Sequence, residues 1–394
     1  VLLLIRNAIA LTVGRPSGRH VGLKADPHFK LHLLGSIRAK SSLRQNRVLF
    51  FLFAFCLLPF ALTLPGCAPP PPLYQQQSYV FGTLVEVSIY GKDEASARAA
   101  TASVLADFDR LNGMLHPWKE GALGGMNEVF ARSPERASLP PDMQAILEDA
   151  TRLSAQSDGL FNPAIGNLIR LWGFHDDHYK AARPDPEAVR KWVQAAPRMS
   201  DIVMEKGAYR SANTAVRVDL GGYAKGLALD RAVEILHAAG VEHALVNIGG
   251  NIIAMGRHGD RAWKVGVRHP RQPGALATLE LADGEAIGTT GDYQRYFELD
   301  GKRYCHVIDP RSGYPVQGVQ AVTVLISKRQ NAGVLSDVAS KPAFIAGKAG
   351  WGDAVRKMGV EAAMLIDEQG DIQVTSSMKK RLTFQESGLK LHEP

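Results

Sequence analysis

The stretch that most constrains this 394-residue chain is residues 217–236, RVDLGGYAKGLALDRAVEIL. Val218-Asp219-Leu220 reads as the end of a strand, and Gly221-Gly222 as a sharp turn that brings backbone close to a ligand. From Ala224 onward the apolar residues Leu227, Ala228, Ala232, Val233, Ile235 and Leu236 recur at helical spacing. A strand, a glycine turn and a helix N-terminus together form a ready anion site, because unpaired N–H groups and the helix dipole point outward. Asp219 and Lys225 place one charge of each sign beside that turn. An ordinary strand–turn–helix joint would read the same way. The spacing is neither that of a GxxxxGK[ST] phosphate loop nor that of a GxGxxG dinucleotide turn.

Charge is unevenly spread. Of the 46 Lys/Arg, nine lie in residues 1–67 against a single acid, Asp26, which leaves 37 basic and 38 acidic residues for the remainder. The formal charge of +7 therefore belongs to the N-terminal segment, and the body has no electrostatic case for nucleic-acid binding. Residues 1–47 read as a basic extension. Residues 48–67 begin with the apolar run VLFFLFAFCLLPFALTL behind Arg44 and Arg47, the layout of an export signal. The run ends in Leu64-Pro65-Gly66-Cys67, which resembles the bacterial lipoprotein lipobox with Cys67 as the lipidated residue. An uncleaved membrane anchor is the alternative, since the run is just long enough to span. Either reading places the body outside the cytoplasm, in the bacterial cell envelope, facing the periplasm. Residues 68–78 read as a Pro/Gln-rich tether, residues 79–385 as the functional domain and residues 386–394 as a tail. Cys56 and Cys67 fall in the leader, so Cys305 stands alone in the body, which excludes an internal disulfide there.

Within the body, residues 79–90 alternate like one strand, 93–115 and 142–157 are amphipathic helices, and 203–209 and 215–220 read as strands. Residues 244–253, ALVNIGGNII, read as a buried strand with a Gly-Gly break. Residues 289–293, TTGDY, read as a polar turn, suited to phosphate or to simple turn chemistry. Residues 362–367 and 372–375 form a hairpin, and the chain from Met378 is read as loosely structured. Trp118, in a glycine-rich loop, either stacks on an aromatic ligand or plugs the core. His306, three residues before Asp309 in a Pro/Gly turn, is either a general base or a structural histidine. Asp337 and Lys341 share a helix face at i,i+4, which by itself means a surface ion pair of about 0.3–0.5 kcal/mol. Pro342 is expected to bend that helix.

Taken together, these motifs resemble the ApbE family, FAD:protein FMN transferases once called thiamine-biosynthesis lipoproteins. The family's D-L-G-G-x-A-K-G turn is met by residues 219–226 and its N-I-G-G-N strand by residues 247–251. T-S-G-D-Y is met with Thr290 for Ser, and H-x-I-D-P-R-[ST]-G-x-P in full by residues 306–315. The resemblance implies an α+β fold with FAD in a cleft between two parts of the body. It implies that FMN passes to a Thr or Ser hydroxyl of an acceptor flavoprotein while AMP leaves. Acceptors would be extracytoplasmic subunits of Rnf or sodium-pumping quinone reductase type. Two alternatives are an FAD pyrophosphatase and a non-catalytic FAD-binding lipoprotein.

By motif, Asp219, Lys225, Asn251 and Thr290 would contact FAD, and Asn162, in a G-x-F-[DN]-P segment, would sit at the cleft. Trp118 would lie near the flavin, although HPWKEG stands where many members have a tyrosine-containing loop. His306 would assist deprotonation of the acceptor hydroxyl, with Asp309 orienting its surroundings. In the family Mg²⁺ is held partly by a glycine-turn carbonyl (Gly222 here) and by the Asp of A-D-A-x-[ST]-T. Here that segment reads SDVASK, so Asp337 is kept and Lys341 replaces the metal-binding Thr. A charged lysine has no acceptor atom and cannot ligate a metal as a hydroxyl does. Lys341 either puts its ammonium where the metal would be or points away and leaves a weakened Mg²⁺ site.

Overall fold

The computed structural model describes residues 71–393, apart from Ser133 and residues 177–179. The basic extension, the apolar run and Cys67 lie outside the described residues. The elements, in order, are β1 (Leu73–Val80), β2 (Thr83–Tyr90), α1 (Glu94–Met114), α2 (Ala122–Phe130), α3 (Pro141–Gln156), α4 (Gly166–Leu171) and α5 (Pro186–Gln194). There follow β3 (Ile202–Glu205), β4 (Ala208–Ser211), α6 (Ala224–Ala238), β5 (Ala244–Ile248), β6 (Asn251–Met255), β7 (Trp263–Arg268), β8 (Ala275–Leu281) and β9 (Ala286–Gly291). The chain continues through β10 (Tyr296–Leu299), β11 (Lys302–Cys305), β12 (Val319–Ile326), α7 (Ala332–Lys357), β13 (Ala362–Asp367) and β14 (Ile372–Val374). It ends with α8 (Ser376–Lys379), β15 (Thr383–Phe384) and β16 (Leu391–His392).

The α+β architecture is organised on a nine-stranded sheet, ordered β1-β2-β5-β6-β9-β12-β13-β14-β16. Its pairings are antiparallel except β14 with β16. Alternation along the strands sends residues to two different cores. Val85, Val87, Val246, Val322 and Leu365 face a large core shared with α1, α3, α6 and α7. Ile252, Ile287, Leu325 and Ile366 face the opposite way, onto the three-stranded sheet β15-β8-β7. Strand β12 is buried along all eight residues, as a strand covered on both faces must be. Each fully buried Phe or Leu, such as Phe108 and Leu111, contributes about 2 kcal/mol by removal of apolar area from water. A third cluster around Trp172, Phe297 and Tyr304 ties α4 and α5 to the β10–β11 hairpin.

Several sequence expectations are corrected. Residues 244–253 are not one interrupted strand but the hairpin β5–β6, turning on Gly249 (φ +59°) and Gly250 (φ +97°). A two-residue hairpin turn with both central φ positive explains the Gly-Gly pair. Residues 79–90 likewise straddle a hairpin turn at Phe81-Gly82, and β1 starts at Leu73, inside the expected tether. The polar run escapes a hydrophobic pattern because β1 is an edge strand. Its glutamines bond across to β2, Gln75 to Ser88 (3.1 Å) and Gln77 to Glu86 (2.7 Å). Residues 203–209 belong to a hairpin turning at Lys206-Gly207. Residues 215–220 are extended but join no named strand; Arg217 and Asp219 donate their N–H groups to Ala164 and Pro163 carbonyls. Thr289 to Gly291 lie in β9 rather than in a turn. Helix α7 runs through Pro342, packed by buried Val338, Ala339, Ala343 and Phe344, and departs from helical geometry at Gly347 (φ +70°). The segment beyond Met378 is ordered: β15 adds to β8, β16 adds to β14, and Arg381 pairs with Glu285 at 2.7 Å.

Candidate active site in the glycine-turn cleft

A cleft of about 1000 Å³ opens where the residue 219–225 turn, the β5–β6 turn, β9 and α7 converge. Trp118, Asn162, Asp219, Gly222, Lys225, Thr290, His306, Asp337 and Lys341 all line it. Segments scattered over more than 220 positions of sequence are thus brought to one cleft.

The turn itself is tightly self-bonded. Asp219 Oδ1 accepts the Gly221 N–H at 2.8 Å, and the Tyr223 and Ala224 N–H groups both reach the Leu220 carbonyl. Burial raises the Asp219 carboxyl above its ordinary range, opposed by that Gly221 bond and by the positive charge of Arg295. The following helix, α6, crosses α7 in very close contact. A Cβ on Gly226 would fall 2.5 Å from the Gly333 carbonyl oxygen, so only glycine permits the approach. Asp230 of α6 completes the lock by accepting the Gly333 and Val334 N–H groups at 2.7 and 2.8 Å, capping α7.

That crossing places Asp337 of α7 against the first turn of α6. Its Oδ2 accepts the Gly226 N–H at 3.1 Å, and its Oδ1 faces Lys225 Nζ at 3.4 Å. Lys341 Nζ donates to Asp337 Oδ1 at 2.7 Å and to the Asp337 carbonyl at 2.6 Å. The pair is therefore not the surface ion pair expected from its spacing, since Asp337 is buried (1% exposed). Burial opposes the Asp337 charge, but Lys225 and Lys341 outweigh it and hold the carboxyl well below the usual carboxylate range. Burial pushes Lys341 below the ordinary lysine range, and Asp337 pulls it back.

The donor set does not fit the magnesium site that Gly222 and Asp337 suggest by motif. Both Asp337 oxygens and its carbonyl are engaged by ammonium or N–H donors, and Lys341 lies over the glycine turn: a Cβ on Gly222 would fall 2.6 Å from Lys341 Cε. Magnesium requires several oxygen ligands in octahedral array. Among the described residues no group of three or more His, Cys, Asp or Glu is arranged to hold a metal.

His306 follows β11. Its N–H donates to the Arg295 carbonyl at 3.0 Å, and its Nδ1 lies 3.2 Å from the same oxygen. A carbonyl only accepts, so Nδ1 carries the proton and Nε2 is left as the basic nitrogen. Burial first, then the positive charges of Arg295, Lys225 and Lys341, push His306 down to about 3, which keeps the ring neutral. Asp309 does not orient it. The Asp309 carboxylate instead takes the Arg311 N–H, Nε and Nη2 (2.8–2.9 Å), and its backbone is tied to Tyr314 and Gly313. Asp309 builds the turn, and the Arg295 carbonyl sets the ring.

Trp118 stands at the cleft wall, half-buried, rather than in the core. The Arg217 guanidinium sits 4.6 Å from its ring centroid, and the His175 ring meets it edge-on at 5.6 Å. The Asn162 amide is committed to framework, donating to Pro197 and accepting from Ala164. Thr290 bonds Ser340 of α7 at 2.7 Å. Asn251 does not line the cleft: it starts the return strand opposite Ile248 and is buried, so Gly249 of the same motif forms the wall. Arg295 and Arg217 were missed by sequence reading. Arg295 lies two residues beyond the TTGDY motif, and a carbonyl contact leaves no side-chain signature.

The sequence profile of the ApbE family matches residues 81–364. The FAD:protein FMN transferase of Rhodobacter capsulatus is 39% identical over 319 residues, covering 81% of this chain and 60% of that relative's length. The Treponema pallidum protein of the same name is 32% identical over 282 residues, covering 67% of this chain and 77% of the relative. Among solved structures, the ApbE protein of Thermotoga maritima superposes with a TM-score of 0.71 at 27% identity, covering 79% of this chain and 99% of that one.

Proposed function

This chain belongs to the ApbE family, and on that premise we propose that it is an FAD:protein FMN transferase acting on an acceptor flavoprotein. The observation that carries the reading is a histidine whose Nδ1 is oriented by the Arg295 carbonyl, leaving Nε2 to accept a proton, and a positive cluster lining the same cleft of about 1000 Å³. Phosphoryl transfer asks the protein for positioning and charge neutralisation more than for covalent chemistry. The acceptor hydroxyl oxygen forms a bond to the FMN phosphorus, the pyrophosphate P–O bond to the adenylate side breaks, and AMP leaves. His306 Nε2 takes the hydroxyl proton. Lys225 and Lys341 face the pyrophosphate and offset its charge. Trp118, braced by Arg217, offers a ring for stacking on an aromatic part of FAD. Asp219 and Asp230 hold the turn and the helix crossing in place.

The leader supports a membrane-tethered lipoprotein, lipidated at Cys67 and facing the periplasm. Its acceptors would then be extracytoplasmic flavoprotein subunits of Rnf or sodium-pumping quinone reductase type. The test is incubation of the full chain with FAD and a purified acceptor domain, read by acceptor mass. A gain of one FMN with release of AMP is expected. AMP release with no mass gain on any acceptor hydroxyl would replace the transferase by a hydrolase, and FAD returned intact would leave a binding protein.

A further inference from the structure

Lys341 answers a question that the flavin reading leaves open: what neutralises the pyrophosphate. We infer that the Lys341 ammonium is the cleft's resident cation, so that this chain binds its dinucleotide without a divalent metal. The inference rests on the FAD reading and goes beyond it.

Four observations carry it. Lys341 Nζ spends two of its three N–H groups on Asp337, at 2.6 and 2.7 Å, which leaves one for a substrate oxygen. The carboxylate that would otherwise take a metal is thereby saturated, with Gly226 N–H on Oδ2 and Lys225 beside Oδ1. The lysine stem occupies the space above Gly222, where a Cβ would fall 2.6 Å from Cε and 2.9 Å from Cδ. The absence of a side chain at Gly222 is thus what admits Lys341, rather than what frees a carbonyl for a metal. Finally, the side chain lines the cleft and is 16% exposed, so the ammonium is in reach of a ligand yet shielded from bulk water.

The charges agree with this assignment. Two ammoniums against one carboxylate leave a net single positive charge at the position facing a pyrophosphate. A dication placed beside Asp337 would meet two ammoniums within hydrogen-bonding range of the same carboxylate, repelled by both. The lysine therefore acts as a built-in monovalent counter-charge, weaker than a metal but permanently present.

The test is FAD affinity of the full-length protein, followed by flavin fluorescence in EDTA and in excess Mg²⁺, for the wild type, Lys341→Thr and Lys341→Met. Wild-type affinity is expected to be the same in both buffers. Lys341→Thr is expected to lose about tenfold or more in EDTA and to regain it with Mg²⁺. Lys341→Met, close in volume, is expected to lose affinity in both. Calorimetric titration of Mg²⁺ into the FAD-loaded proteins should give binding heat only for Lys341→Thr. Wild-type affinity that rises about tenfold with Mg²⁺, or Lys341→Met binding as tightly as wild type, overturns the inference while leaving the flavin reading intact. If the wild type binds no FAD in either buffer, both fall together.

Discussion

The two walls of the cleft treat charge in opposite ways. On the wall where α6 crosses α7, three charged side chains are crowded together, buried Asp337 between the half-buried Lys225 and Lys341. On the other, His306 is stripped of charge, its Nδ1–H held by the Arg295 backbone carbonyl. A counter-charge for phosphate has to stay ionised, so it is tied to a carboxylate; a base has to stay unprotonated, so its partner is a neutral acceptor. The walls are coupled as well, because the lysines of the first help to depress the second. Removing charge on one wall should therefore be felt on the other.

The largest expected effect is on the charged wall. Asp337→Ala leaves two ammoniums facing each other without their shared carboxylate and should cost about 3–5 kcal/mol of stability, measured as a fall in the urea midpoint. Adding Lys341→Met should return a good part of that loss. A double variant as unstable as Asp337→Ala would mean that the carboxylate's packing, and not its charge, matters. On the neutral wall, His306→Ala should lower kcat by about a hundredfold, with FAD affinity little changed. Loss of affinity with kcat preserved would move His306 from proton acceptor to ligand contact.

A smaller effect is set by pH. The unfolded histidine titrates near the ordinary value of about 6.5, whereas in the fold His306 is pushed down to about 3. Between those values the unfolded chain binds a proton that the native state refuses. The stability is thus fully present above about 6.5 and is lost as pH falls toward about 3, with a slope of at most about 1.4 kcal/mol per pH unit. The ring borders an open cleft, so the measured slope should be shallower. Urea midpoints of wild type and His306→Gln, compared across that window, should diverge; parallel curves would show the ring to be solvated and ordinary. Lys341→Met, by removing one of the depressing charges, should raise the midpoint of the His306 titration.

How legible these walls were in the sequence follows from the same physics. His306 and the glycine turn sit in short contiguous motifs that carried the family resemblance, and both line the cleft. Asp337 and Lys341 were visible as a pair, but i,i+4 spacing is blind to burial, and burial was decided by Gly226 meeting Gly333, 107 positions apart. Helices α1, α3 and α6 and the longer strands of the α+β fold follow hydrophobic period, whereas α2, inside the segment read as a glycine-rich loop, does not. The hairpins at residues 81–82 and 249–250 did not, because a two-residue glycine turn inside an apolar run looks like a defect in one strand. Strand β1 was hidden by its glutamines, and β15 and β16 by being two residues long. Asn251 was misplaced for a related reason: once its motif is a hairpin, the residue after the turn opens the return strand, where it is buried away from the cleft lining.

The smallest effect belongs to Asp309, and it separates a turn-builder from a partner of the base. Asp309→Asn keeps one acceptor oxygen for the Arg311 N–H and leaves the Asp309–Tyr314 and Gly313–Asp309 backbone bonds untouched. It removes only the ion pair to Arg311, whose side chain is 61% exposed, so solvent screening limits the cost to under about 1 kcal/mol. Because the His306 ring is set by the Arg295 carbonyl, kcat should stay within a few fold of wild type and its pH dependence should not move. If Asp309→Asn instead lowered kcat as far as His306→Ala with the urea midpoint unchanged, the carboxylate would have to act on the ring directly. The neutral wall would then contain an acid, and the contrast with the α7 cluster would fail.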